Sequence, residues 1–381
     1  TGYELTDQKL TWTNTRGILV RGSIGKDFAF STRFYENQSV FPTFTNNYVQ
    51  QRSVVPGEGR VRGFNNAYDY ASAAGYISYT PGKYVNFRLG HGKHFLGDGY
   101  RSLMLSDQSF YYPYFRISTD IWRFKYVNLF TQFSHPDASN DPGYNPFPKK
   151  YGTFHYLSIL AGKRWNISLF EAIVWQARDS TGHRGFELNY LNPVIFYRPV
   201  EFSLNSPDNA LMGLNLSFNA SNQFTLYGQF VIDEWRMGEM LSNDGWSGNK
   251  YGWQAGIKAF NPLHLRNVCL QLEYNSVRPY MYSHYLTTQN YSHHKEPLAY
   301  SFGANTREVV GIIRYNHNRV YVTLKYNHAG FGLDTNGLNL GKNIFLDYQT
   351  APDEYGNVTA QGLHTKMDQL DADISYLLNP H

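Results

Sequence analysis

Val268-Cys269-Leu270-Gln271-Leu272-Glu273-Tyr274-Asn275 alternates apolar and polar side chains over eight residues, the period-2 signature of a β-strand with one dry and one wet face. The same alternation sets Val320, Val322, Leu324 and Tyr326 against Tyr321, Thr323, Lys325 and Asn327. Several further stretches share it, with Tyr, Phe or Trp repeatedly on the dry side. Dry faces in this number outrun what the chain offers to cover them, so lipid is the expected cover.

Composition bounds the reading. The chain has 381 residues, 17% of them aromatic, yet its mean hydropathy is −0.48. That aromatic content excludes a disordered chain, which cannot bury enough apolar surface to fold. No apolar run is long enough for a helical membrane span. A barrel strand crosses in about ten residues with its lumen side polar, so low mean hydropathy is what a barrel predicts. The single cysteine, Cys269, excludes a disulfide framework and a Cys-rich metal site. A formal charge of +4, from 34 basic and 30 acidic residues, lends no electrostatic support to nucleic-acid binding. The chain opens at Thr1 without a basic or apolar leader and runs out of a strand near Leu377. It therefore reads as a mature or trimmed protein with a closing strand still to come.

Strands are predicted near 8–14, 16–24, 26–35, 71–80, 83–90, 121–134, 152–163, 165–175, 185–191, 210–219, 223–233, 250–260, 266–277, 307–317, 318–328 and 365–378. Many neighbours are joined by hairpin residues such as Thr80-Pro81-Gly82, Gly162-Lys163-Arg164 and Asn316-His317-Asn318. Between these lie long connections near 36–70, 91–120, 135–151, 234–249, 278–306 and 329–364. Alternating short and long connections in one domain, residues 1–381, predict a transmembrane antiparallel outer-membrane β-barrel of about 14–18 strands. At that size side chains cannot fill the lumen, so internal loops are expected to obstruct it or a channel remains. Arg33, Arg88, Lys258, Glu273, Lys325, Asp371 and Asp373 are expected to project inward. A soluble sandwich would show the same alternation; the loop asymmetry and aromatic excess favour the barrel.

Motifs that could carry chemistry are few. The segment Gly90 to Asp107 is glycine-rich, but its spacing is not that of a dinucleotide fingerprint. Asp98, Arg101 and Asp107 read there as luminal pins or as ligand contacts. Pro193 and Pro199 interrupt Glu187 to Glu201, which suits a segment folded into the lumen or bulged from the wall. Within it Arg198 and Glu201 are of types that pair in confined space, and Arg also forks onto ligand carboxylates. Asp233 and Glu234 are adjacent, so on a strand they point to opposite faces and do not form an acid and base pair. His91, His94, His293 and His294 lack a metal-site frame, and neither H-E-x-x-H nor G-x-S-x-G occurs. No enzyme activity, metal or cofactor is expected.

The long connections are rich in rings: Tyr111, Tyr112, Tyr114, Trp235, Trp246, Tyr280, Tyr282, Tyr285 and Tyr291, interleaved with Arg278, His284 and Asn290. Flat rings beside polar groups suit stacking on sugars, and equally suit the aromatic girdles of a barrel.

Four stretches resemble the Wzi-like capsule-assembly family of outer-membrane proteins in its Bacteroidetes-type form: Phe95 to Asp107, Leu191 to Glu201, Glu273 to Tyr280 and Pro297 to Asn305. The resemblance implies an obstructed barrel of about 18 strands, acting without catalysis as a surface lectin that anchors capsular or exopolysaccharide. It places Asp98, Arg101, Asp107, Arg198, Glu201, Arg278 and Asn305 in family motifs, as luminal pins or sugar contacts. Against that family, the chain is expected to lack the leading segment and the final closing strand. Arg278, Tyr280, Tyr282, His284, Trp235 and Trp246 are the expected glycan contacts. Outer-membrane lipid and lipopolysaccharide are the expected surroundings. The alternatives are an accessory subunit of a secretion or gliding-motility complex and a solute channel.

Overall fold

A computed structural model describes residues 1–64, 67–135, 147–179, 182–195, 208–234, 236–242 and 244–379. Fifteen long strands form the wall. They are β1 (Lys9–Ile24), β2 (Phe28–Val40), β3 (Ala67–Tyr79), β4 (Val85–Gly92), β5 (Tyr112–Ile121), β6 (Phe124–Ser134), β7 (Lys149–Ala161) and β8 (Trp165–Gln176). The wall continues through β9 (Asn209–Asn219), β10 (Phe224–Glu234), β11 (Lys250–Phe260), β12 (Val268–Val277), β13 (Thr306–His317), β14 (Val320–Leu333) and β15 (Leu363–Tyr376). Each pairs antiparallel with the next in sequence, and the short strand Gly2–Glu4 adds to the free side of β1. Gly2–Glu4 and β15 are not paired with each other among the described residues. No helix among those residues is long and apolar enough to cross a membrane.

Alternation is realised as the sequence predicts. On β12, Gln271, Glu273 and Asn275 are buried while Leu272 between them is 55% exposed. Outward rings pair across strands close to the short turns: Phe28 stacks on Tyr79 at 4.5 Å and Trp165 on Phe218 at 4.4 Å. Nearer the long connections, Trp253 and Tyr274 pack at 5.0 Å.

Every short connection lies at one end of the wall and every long one at the other. Three strand predictions need correction. Residues 8–14 and 16–24 form the single strand β1, because Thr15 faces inward to bond Asn37 at 2.7 Å and Gly17 lies under the Tyr35 ring, where a Cβ would collide. The connection predicted over 91–120 is shorter, since β5 begins at Tyr112; Trp122, at φ 54°, turns the chain into β6. Residues 185–191 are not a strand: a single 3-10 turn, Leu188–Leu191, follows the Glu187 carboxylate that accepts from Asn189 N–H. That segment folds back over the outer face of β7 and β8, with Tyr190 4.8 Å from Trp175 and Phe186 5.5 Å from Tyr151. It is a bulge from the wall rather than a luminal insertion.

The main apolar core lies inside the wall. Leu103, Met104 and Leu105 from the β4–β5 connection pack with Tyr282, Tyr291, Leu298 and Tyr300 from the β12–β13 connection and with Phe133, Phe154 and Phe170 of the wall. The lumen is thus apolar where these loops fill it and polar elsewhere.

Candidate functional site

The β4–β5 connection leaves the wall at Gly92 and crosses the lumen, touching the far strands in turn. Asp98 accepts from Asn215 of β9 at 2.6 Å, and its carbonyl accepts from Lys258 of β11 at 2.5 Å. Gln229 of β10 accepts from Leu103 N–H at 2.8 Å. Glu273 of β12 accepts from the amides of Tyr100 and Arg101 at 2.6 and 3.0 Å. Arg101 ends on Glu308 of β13 at 2.9 Å. Gly99 is required here, because a Cβ would press on Glu273 and Gln254.

Asp98 and Arg101 are therefore luminal pins. Asp107 is not: it is exposed, and its nearest polar partner is the adjacent Gln108. The chain turns out of the lumen at Ser106, whose amide bonds Leu298 O at 2.8 Å, and leaves Asp107 behind. Of the other residues expected to face inward, Lys325 pairs with Asp371 at 2.8 Å, Arg33 donates to Tyr111 at 2.9 Å and Arg88 lies 4.3 Å over Tyr76. Arg198, Glu201 and Trp235 lie outside the described residues.

Three long connections meet above this plug. Asn305, fully buried at φ 55°, accepts from Ala360 N–H at 2.7 Å and donates to Gly332 O and Gln361 O at 3.0 and 2.9 Å. It locks the β12–β13 connection to the β14–β15 connection. Arg278 donates to the carbonyls of Asn249 and Asn357 at 3.0 and 3.1 Å. Tyr280 donates to Asn339 O at 3.0 Å, and Tyr282 to Leu103 O at 3.0 Å. Both tyrosines are buried, and burial pushes Tyr280 up to about 12. His284 is also buried, held neutral by a pKa pulled down to about 3. The structure thus places these four expected glycan contacts in the joins between loops, with Arg278 partly exposed. Trp246 keeps part of its surface, under Arg236 at 4.7 Å and donating to Glu354 at 3.3 Å.

Asp233 and Glu234, expected on opposite faces, are brought to one cation. A bulge between Ile232 and Glu234 lets both approach Lys250, at 3.3 and 3.5 Å.

The open concavity at the long-connection end has a different lining. It is a cleft of about 650 Å³ between helix α1 (Thr43–Arg52), residues 295–303 and residues 333–345. Arg52, Lys295 and Lys342 face Asp334 there, with Tyr48, Phe302 and Phe345 as rings. Arg52 stands 4.8 Å over Tyr48 and 5.5 Å over Phe345 and donates to Lys295 O at 2.8 Å. Lys342 donates to Phe302 O, Ala304 O and Thr306 at 2.7, 3.1 and 2.8 Å. Burial pulls its pKa down to about 7, opposed by Asp334. The sequence carried one signal for this cleft, a lysine amid small and aromatic residues in Leu340-Gly341-Lys342-Asn343-Ile344-Phe345. Nothing in it linked that lysine to Arg52.

No family model and no curated protein matches the chain. Among solved structures it is similar to Wzi of Escherichia coli, described as an outer membrane protein involved in group 1 capsule assembly and a carbohydrate-binding β-barrel. The TM-score is 0.55 at 13% identity, over 95% of this chain and 75% of that one. A triple mutant of the Rhodopseudomonas blastica porin aligns at TM-score 0.38 and 10% identity, over 83% and 85%. Pseudomonas aeruginosa OccK11 aligns at 0.39 and 10%, over 84% and 88%. The likeness to Wzi shows the fold, that of an outer-membrane β-barrel.

Proposed function

We propose that this protein is a non-enzymatic barrel of the bacterial outer membrane whose mouth cleft binds an acidic surface polysaccharide, holding capsule or exopolysaccharide at the cell. The observation that carries the reading is the cleft itself. Arg52, Lys295 and, once protonated, Lys342 oppose one carboxylate beside three rings, the combination that offers ion pairing to uronate or other acidic groups and stacking to sugar faces. The carbohydrate-binding Wzi, which shares the fold, supports the class of ligand. A plug that crosses the lumen and is pinned to five strands favours a binding protein over an open solute channel.

The test is retention of the host's own polysaccharide by the purified protein in detergent. The acidic fraction is expected to bind, with neutral dextran as control, and the Arg52→Ala/Lys295→Ala double variant to lose at least ten-fold in affinity. Failure to retain any host polysaccharide overturns the reading. A stoichiometric protein partner that survives purification from native membranes, with no glycan, would favour a secretion or motility subunit instead.

A further inference from the structure

The lumen holds a second space, a chamber of about 340 Å³ that shares no lining residue with the mouth cleft. Strands β1 to β6 and residues 91–96 of the plug enclose it. Arg21, Arg33, Arg88, Arg116 and Lys93 line it, and no Asp or Glu does among the described residues. Elsewhere in the lumen three cations meet carboxylates, Arg101 at Glu308, Lys250 at Asp233 and Lys325 at Asp371, while Lys150 and Lys258 are capped by carbonyl and side-chain oxygens. Within the chamber Lys93 is bonded to Gly57 O at 2.6 Å and Arg33 to Tyr111 at 2.9 Å, so the unanswered charge falls on Arg88 and Arg116.

Register makes the imbalance acute. Arg88 and Arg116 are direct cross-strand partners on β4 and β5, so their Cβ atoms are about 5 Å apart on one face, where like charges repel. Arg88 Nε is buried without a hydrogen-bond partner, whereas Arg116 Nε is held by Ser118 at 2.9 Å. The nearest carboxylate along β5, Asp120, pairs with Lys125 at 3.6 Å. A buried donor left open between unneutralised guanidinium groups is what a missing anion leaves behind.

We infer that this chamber is an anion-binding site, taking one oxyanion between Arg88 and Arg116 with Arg33 as a further donor. Its ligand class is a small oxyanion, phosphate or the carboxylate of a monomeric acidic sugar, bound independently of the polysaccharide at the mouth. The site would hold such a group below the plug, as counterion to the arginines.

The experiment is calorimetric titration of the full chain in detergent with inorganic phosphate and, separately, with glucuronate, at constant ionic strength. Saturable binding of at least one is expected, and the arm that binds names the source. Arg88→Gln and Arg116→Gln should each weaken it at least ten-fold, while Arg52→Gln at the mouth leaves it unchanged. In anion-free buffer Arg116→Gln should also raise the melting temperature, because one of two facing like charges is gone; a purely structural arginine would lower it. If either variant fails to fold, Arg33→Gln takes its place, and the wild-type titration stands by itself. The inference is overturned if neither anion binds saturably, or if binding persists in the chamber variants or disappears with Arg52→Gln. Loss of polysaccharide binding at the mouth alone leaves it intact.

Discussion

Arg101 and Glu308 meet at 2.9 Å inside the barrel although 207 positions separate them in the chain. Glu308 has no exposed side-chain surface and also accepts from Tyr300 at 2.8 Å. The pair fastens the middle of the plug to the wall strand opposite the one from which the plug departs.

Removing one member leaves a buried, unpaired charge, which costs about 3–5 kcal/mol. Arg101→Ala is therefore expected to lower the melting temperature of the detergent-solubilised protein sharply. Combining Arg101→Met with Glu308→Leu should recover part of the loss, because the isolated carboxylate is then absent too. Thermal unfolding followed by circular dichroism measures both.

Tyr282 tests whether the ring belongs to the loop core or to the binding surface. Tyr282→Phe deletes the donor to Leu103 O and should cost about 1 kcal/mol; Tyr282→Ala empties a buried site and should cost about 3–5 kcal/mol. Polysaccharide affinity of the folded Tyr282→Phe protein should equal that of wild type. A ten-fold loss there would return Tyr282 to the ligand surface.

Asn305 satisfies the backbone of two connections from one side chain. Asn305→Ala should leave the amides of Ala360 and Gln361 unprotected and raise their hydrogen-exchange rates, with a stability loss of about 1–3 kcal/mol. The wall amides of β12 and β13 should stay protected. Equal loosening of wall and loop would contradict the pin.

Lys342 carries a pH dependence with a definite sign. Its pKa is depressed from 10.5 to about 7 by burial. Its contribution to stability is therefore complete above 10.5 and is lost as pH falls to about 7, where the folded amine takes up its proton. Acidic polysaccharide should in turn bind more tightly as pH falls from 8.5 to 6 and the cleft gains charge. Glu296, raised by burial to about 7, does not line the cleft. The step in affinity should vanish in Lys342→Arg and persist in Glu296→Gln, as read by affinity measured at four or five pH values.

The wall was legible in the chain because strand alternation is a local code: Leu272 faces out and Glu273 in for reasons contained within three residues. Even the strand errors arose locally, where Tyr112 to Ile121 was hidden behind Pro113 in an aromatic run. The luminal pins Asp98 and Arg101, and the loop clasp Asn305, were also readable as residue types unsuited to a lipid face.

By itself, the sequence determined a barrel wall, its inward charges and the end that carries the long connections, since each depends on period and turn chemistry along a single strand or hairpin. Tertiary structure alone decided what the loop residues do. Tyr280 and Tyr282 became core and Arg278 a clasp because distant loops close over them, while Arg52, Lys295 and Lys342 converged on a cleft from three separate connections. Whether a side chain binds a ligand or its own protein depends on which backbone arrives beside it, and no periodicity in the chain encodes that meeting.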